Sequence, residues 1–263
     1  MLKSLLLMAV LFVAFYYGGA LIGGIVALIA LIITVYSMLP DIYALIGQRK
    51  YVQGNDADGL KWLNRSYNTG RMNTHTAVYY AYILIKNSEL DKAQTVTNLM
   101  LGRKNIKPDD KTMAKHNLSL IEYRRGNLED AMEMAQAIFD AGESTLIYGT
   151  LGYYKILHGD ADAFDFCKKA VEYNDDDNTI LDNYLHVLIQ KNMFDDAVQY
   201  ANKLMDKSPK FVEAYYHSAQ IYNALGDKKL ASDTLDKTEK CVKTFMTTVT
   251  DEQIQALRNE INQ

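Results

Sequence analysis

A small residue returns along this chain at nearly constant intervals. Ala163, Ala197 and Ala231 stand 34 residues apart, and upstream Gly59, Ala93 and Ala131 extend the series at steps of 34, 38 and 32. A period in this range marks an array of repeated supersecondary units. In the last unit Tyr215, Ala219 and Tyr222 lie at i, i+4 and i+7, the spacing of one helix face. Gly226-Asp227 then ends one helix and starts another. Ala231, Leu235 and Thr238 form the inward face of that second helix. The unit is therefore an antiparallel helix pair with a small residue where the backbones cross. One pair cannot bury its apolar face alone, so the units must stack. The expected fold class is all-α: an α-solenoid of about five to six helix pairs.

These units resemble the tetratricopeptide repeat (TPR) family over roughly residues 40–245. The matching residues are Ala77, Ala81, Ala93 and Met100 in one unit, and Ser119, Gly126, Ala131, Ala135 and Ile138 in the next. Tyr154, Ala163 and Ala170 follow, then Leu181, Leu185, Leu188, Ala197, Leu204 and Pro209, then Tyr215, Ala219, Tyr222, Gly226 and Ala231. The family's tryptophan near the start of each first helix is absent, and Gly152 and Gly159 fit one register off Ala163. The resemblance implies a scaffold that takes a protein or peptide partner on a concave face lined by the first helix of each pair. Carrying its register over places His75, Val78, Tyr82 and Ile85 on that face, then His116, Asn117, Leu120, Tyr123 and Arg124. Tyr148 and Lys155 come next, followed by Asp182, Asn183, His186 and Gln190, and by Tyr216, His217, Gln220 and Asn223. Tyrosine and histidine combine apolar area with a polar tip, which suits an extended peptide. Four histidines on one face also raise pH-sensitive binding, since an unperturbed histidine titrates at about pH 6.5. Val78 and Tyr82 stand where the family's carboxylate-clamp subclass carries its first Lys and Asn, so capture of a C-terminal carboxylate by that route is not expected.

Ahead of the repeats, residues 4–39 contain no charged side chain. As one helix at about 1.5 Å per residue this stretch far exceeds a hydrocarbon core of about 30 Å. Two passes fit best, with a tight turn near 18–24 and arms at 2–17 and 20–39. One tilted pass remains open, as does a signal peptide cleaved after Gly18-Gly19-Ala20 that leaves 21–39 as an anchor. Lys3, Arg49, Lys50 and Lys61 flank the apolar stretch, and the positive-inside rule puts both ends of a hairpin in the cytoplasm. Leu39-Pro40-Asp41 is read as the exit from the bilayer, giving domains 1–39 and 40–263. A first helix is expected over 41–53, with Tyr43, Ile46 and Gly47 inward, and its partner over 56–68, with Gly59, Leu63 and Ser66 inward.

Residues 105–111 form a longer connection, and Asn174-Asp175-Asp176-Asp177 is an acidic turn without the ligand alternation of a calcium loop. A closing helix is expected over 251–262, docking through Ile254, Leu257 and Ile261. The net charge is -4 with no basic stripe, which argues against nucleic acid. Cys167 and Cys241 make neither a disulfide framework nor a zinc site. No phosphate loop, dinucleotide turn, His-Glu-x-x-His or nucleophile elbow is present, so no catalytic residue, cofactor or metal is expected. The combined expectation is a TPR scaffold anchored in a membrane through residues 4–39, by family analogy a bacterial cytoplasmic membrane, with its repeats in the cytoplasm. The alternative is an extracytoplasmic single-pass assembly factor or chaperone.

Overall fold

The structure, a computed structural model, describes residues 2–263, apart from the side chains of residues 2–7 and 11. Helix follows helix with no strand among the described residues. The order is α1 (Leu2–Val52), α2 (Asp56–Asn68), α3 (Thr74–Lys86), α4 (Leu90–Leu101), α5 (Pro108–Arg125), α6 (Leu128–Ala141) and α7 (Thr145–His158). Then come α8 (Ala163–Tyr173), α9 (Asn178–Gln190), α10 (Phe194–Asp206), α11 (Val212–Ala224), α12 (Lys228–Leu235), a 3-10 turn at Asp236–Lys240, and α13 (Asp251–Ile261). The chain divides into two compact units, Met1–Ile83 and Leu84–Gln263.

In the first unit α1 is interrupted at Gly19, whose φ of 67° and ψ of -174° are not helical. A Cβ on Gly23 would lie 2.3 Å from the Phe15 ring. On an unbroken helix these residues would be about 12 Å apart along the axis. The chain therefore bends back sharply at Gly19, inside the stretch where the sequence places a turn. Beyond it, α1 runs without a break from residue 20 to Val52, so the new helix expected at 41 does not start there. Pro40 sits inside α1 because the damage it does is repaired. Proline has no N–H for the carbonyl four residues back, that of Tyr36. Arg71 Nη2 donates to that carbonyl at 3.0 Å and lays its guanidinium over the Tyr36 ring. Ser66 Oγ donates to the Pro40 carbonyl at 2.6 Å.

The last third of α1 then pairs with α2 through two glycines. A Cβ on Gly47 would meet the Gly59 carbonyl oxygen at 2.9 Å, and one on Gly59 would meet the Gly47 carbonyl oxygen at 3.0 Å. Leu63 and Ser66 are buried beside them, as the sequence pattern requires. Asn73 caps α3 by accepting from the Thr76 N–H at 2.8 Å, and Tyr80 OH reaches Asn64 Oδ1 at 3.1 Å.

The second unit repeats the pairing as α5/α6, α7/α8, α9/α10 and α11/α12. Ala93, Ala131, Ala197 and Ala231 have no exposed surface and Ala163 has 6%. The periodic small residues thus occupy equivalent buried seats. Each turn inside a pair passes through a positive φ: Gly126 at 86°, Gly159 at 78°, Asn192 at 56° and Gly226 at 85°. Gly152 lets α8 and α9 close on α7, since a Cβ there would stand 3.4 Å from Cys167 Sγ and 3.2 Å from Asn183 Nδ2. Cys167 is fully buried, which pushes its thiol up to about 12, so it acts as a small core residue. Thr250 and Gln253 form a capping box that starts α13, and Leu257 and Ile261 bury against the last pair.

Candidate partner-binding surface

The first helices of successive pairs, α5, α7, α9 and α11, present the side chains that the resemblance assigns to a binding face. Most of the polar ones are engaged with the neighbouring helix about one repeat away. His116 Nε2 meets Thr150 Oγ1 at 2.9 Å, Asn183 Nδ2 donates to the Gly149 carbonyl at 2.8 Å, and His217 Nδ1 meets Asp182 Oδ1 at 2.9 Å. The His186 ring lies 4.5 Å from that of His217. His116, Asn117, Asp182, Asn183 and His217 are all buried. Of these, His116, Asn183 and the His217–Asp182 couple tie one pair to the next. Burial lowers His116 to about 4, and burial together with His217 lowers His186 to about 4 despite the opposing pull of Asp182. Both therefore stay neutral between pH 5.5 and 7.5, and the pH sensitivity raised by the sequence gains nothing from them.

The remaining assigned residues divide by burial. Tyr148 has no exposed surface and packs among Phe139, Phe166 and Tyr173. Lys155 turns into the α7–α8 corner, where its Nζ reaches Asp162 at 2.9 Å and Asp160 at 3.2 Å. Val78, Ile85 and Leu120 are core residues. In the first unit His75 is exposed and Tyr82 half-buried. Tyr216, Gln220, Asn223 and His186 are half-buried and Gln190 is exposed. Asn223 Nδ2 donates to Glu260 of α13 at 2.8 Å, and Gln220 Nε2 donates to Tyr216 OH at 3.4 Å.

Tyr123 and Arg124 lead to an arrangement that sequence reasoning missed. Residues 241–250, between the 3-10 turn and α13, cross the first-helix face. Tyr153 OH donates to the Met246 carbonyl at 2.9 Å. Its one proton being so committed, Tyr153 receives from Tyr123 OH, also at 2.9 Å. The Arg124 guanidinium lies 5.1 Å from the Phe245 ring centroid and donates through Nη2 to Ser88 Oγ at 2.6 Å. Farther along, Glu213 Oε1 accepts the Thr248 N–H at 2.7 Å and the Val249 N–H at 3.4 Å. Glu213 and Val249 are both buried. Burial pushes the Tyr153 phenol well above the ordinary tyrosine range, which keeps it a donor. The sequence carries no local hint of this beyond Glu213 in the first turn of α11.

No family model matches the chain, and no curated protein matches it. Solved structures do, at low identity. A tetratricopeptide repeat protein from Parabacteroides merdae is 13% identical at a TM-score of 0.56, with 86% of each chain covered. Pseudomonas aeruginosa pilF is 13% identical at a TM-score of 0.60, covering 86% of this chain and 99% of that one. A chain of the APC/C hetero-tetramer Cut9-Hcn1 is 14% identical at a TM-score of 0.65, covering 84% of this chain and 42% of that one. At these identities the likeness is one of fold, and the fold is that of the tetratricopeptide repeat solenoid.

Proposed function

We propose that this chain is a membrane-anchored scaffold whose first-helix face holds a protein or peptide partner at the cytoplasmic side of the membrane. The observation that carries the anchoring is the surface of α1. Phe12, Tyr16, Tyr17 and Leu21 are 69, 71, 81 and 77% exposed, and Ile29, Leu31, Ile32 and Ile33 continue the apolar sleeve. So large a contiguous apolar surface marks an interaction with lipid or protein. By length and composition this helix can cross a membrane. The bend at Gly19 favours a re-entering hairpin over a single straight pass. Because Ser66 of α2 bonds Pro40 and Arg71, just beyond α2, bonds Tyr36, the anchor enters the first helix pair without a flexible linker. Partner binding is supported by the fold and by the accessible residues His186, Gln190, Tyr216 and Gln220.

Site-specific photocrosslinking in cells tests this reading. A photoreactive residue at Gln190 or Gln220 should give a discrete adduct, and Tyr216→Ala should abolish it without loss of helicity. Equal adduct yield in the Tyr216→Ala chain refutes the face. Protease added outside intact spheroplasts should spare the repeats; digestion there refutes the cytoplasmic placement and favours the extracytoplasmic assembly factor.

A further inference from the structure

The segment lying across the first-helix face is held in an unusual way for a connector. Its tip is a turn in which the Thr247 N–H donates to the Thr244 carbonyl at 3.1 Å, and the backbone then runs without helix to Thr250, which is extended where it caps α13. The bonds that fasten it to α7 and α11 use its main chain: the Met246 carbonyl, then the Thr248 and Val249 N–H groups. Two of its side chains add to the contact, the Phe245 ring on Arg124 and the buried Val249. Tyr153 and Glu213 are thus placed as a donor and an acceptor for any backbone laid along the same path.

We propose that this face is a recognition site for an extended peptide carrying an aromatic residue and, four positions on, a β-branched aliphatic one, and that residues 244–249 occupy it as an internal stand-in. The inference rests on the partner-binding reading above and adds the ligand class and a means of control. A partner segment must offer a carbonyl to Tyr153 and N–H groups to Glu213 after the resident segment has left. Since the stand-in is tethered at both ends, it competes at an effective concentration of about a millimolar, and a partner's apparent affinity falls by one plus the ratio of that concentration to the stand-in's own dissociation constant.

The probe is a fluorescein-labelled peptide of this chain's residues 241–250, with serine at Cys241. It is titrated by fluorescence polarisation into the full chain in detergent and into a variant with Phe245→Gly, Thr248→Pro and Val249→Pro replaced together, which removes the ring, both N–H donors and the buried aliphatic side chain. The replaced variant should bind at least tenfold more tightly than the natural chain. Adding Tyr153→Phe and Glu213→Gln to it should cost at least tenfold, and so should Phe245→Ala with Val249→Ala in the probe. A helical replaced variant that binds no better than the natural chain overturns the proposal. Should that variant not fold, hydrogen exchange on the natural chain decides. Millimolar probe should accelerate exchange at the amides of Thr248 and Val249, and unchanged exchange overturns the proposal. No cellular partner enters these measurements, so their failure leaves the crosslinking result standing, and loss of crosslinking leaves theirs.

Discussion

The crossing of Gly47 and Gly59 sets the distance between α1 and α2, and Gly47→Ala should break it. The new methyl would sit 2.8 Å from Leu63 Cγ, 2.9 Å from the Gly59 carbonyl oxygen and 2.9 Å from the Leu63 nitrogen, against 3.4–4 Å for ordinary contact. Two of the three atoms are backbone, so no rotamer change relieves the clash and α2 must retreat by at least half an ångström. Overpacking of this kind costs about 1–3 kcal/mol. Replacing glycine by alanine in a helix interior returns about 0.8–1 kcal/mol. The net expectation is a destabilisation of up to about 2 kcal/mol, centred on about 1 kcal/mol. The sole tryptophan, Trp62, lies on α2 with its ring 5.5 Å from that of Tyr43 on α1. Its fluorescence therefore reports this crossing and not the distant pairs. In urea the tryptophan transition should move down by about 1 M, taking a slope of about 1–2 kcal/mol per molar. Gly102→Ala is the matched control: that glycine is right-handed at φ -73° and its nearest neighbour to a new Cβ is 3.6 Å away. An unchanged or raised tryptophan midpoint in Gly47→Ala refutes the close-crossing account.

The other expectations are smaller in scope. Gly226→Ala forces an L side chain into φ 85° and should lower stability by about 1–2 kcal/mol, read as a lower melting temperature of the far-ultraviolet circular dichroism. Ser66→Ala removes the donor to the Pro40 carbonyl in a fully buried site and should cost about 1–3 kcal/mol in the same tryptophan-monitored urea titration. His116 is lowered from 6.5 to about 4 by burial, so the unfolded chain binds the extra proton between those values. Stability should accordingly be full above pH 6.5 and fall as the pH drops towards 4, by about 1.4 kcal/mol per pH unit for this group. His116→Gln should flatten that slope in denaturation series between pH 4 and 7, and an unaltered slope refutes the assignment.

The repeat was legible because it is a matter of volume. Only a small side chain fits where two helix backbones meet, so Ala131, Ala163, Ala197 and Ala231 betray the crossing wherever they stand. The turns were legible at Gly126, Gly159 and Gly226 for the same reason of sterics, and hidden at Asn192, which tolerates positive φ without announcing it. The continuity of α1 past Pro40 was not legible. It depends on Arg71 supplying a donor from 35 residues away, and no local pattern records such a debt. The packing of the first-helix face was half legible. Register placed the right helices together, but it could not say that Asn183 or His217 spends its hydrogen bonds on the next repeat. Nor could it place residues 241–250, whose partners lie as far as 93 positions back.

Those cross-repeat bonds bear on how the face could work. A buried polar group is costly unless paired, and a pair such as His217 with Asp182 is satisfied only when neighbouring helices hold one register. Sliding α11 against α9 by a turn would leave both groups buried and unpartnered. Adjacent pairs are thereby fixed before any ligand arrives, and the Tyr123–Tyr153 relay and Glu213 are held at a set spacing by the helices that carry them. If the face takes the peptide proposed above, it should lose little freedom on binding, and its affinity should rest on a few well-placed main-chain bonds rather than on area. It also has a weakness that a designer of variants can use. Asp182→Asn keeps the shape of the pair but removes its charge, so any loosening of ligand grip it causes must come through the spacing between repeats, with no ligand contact altered.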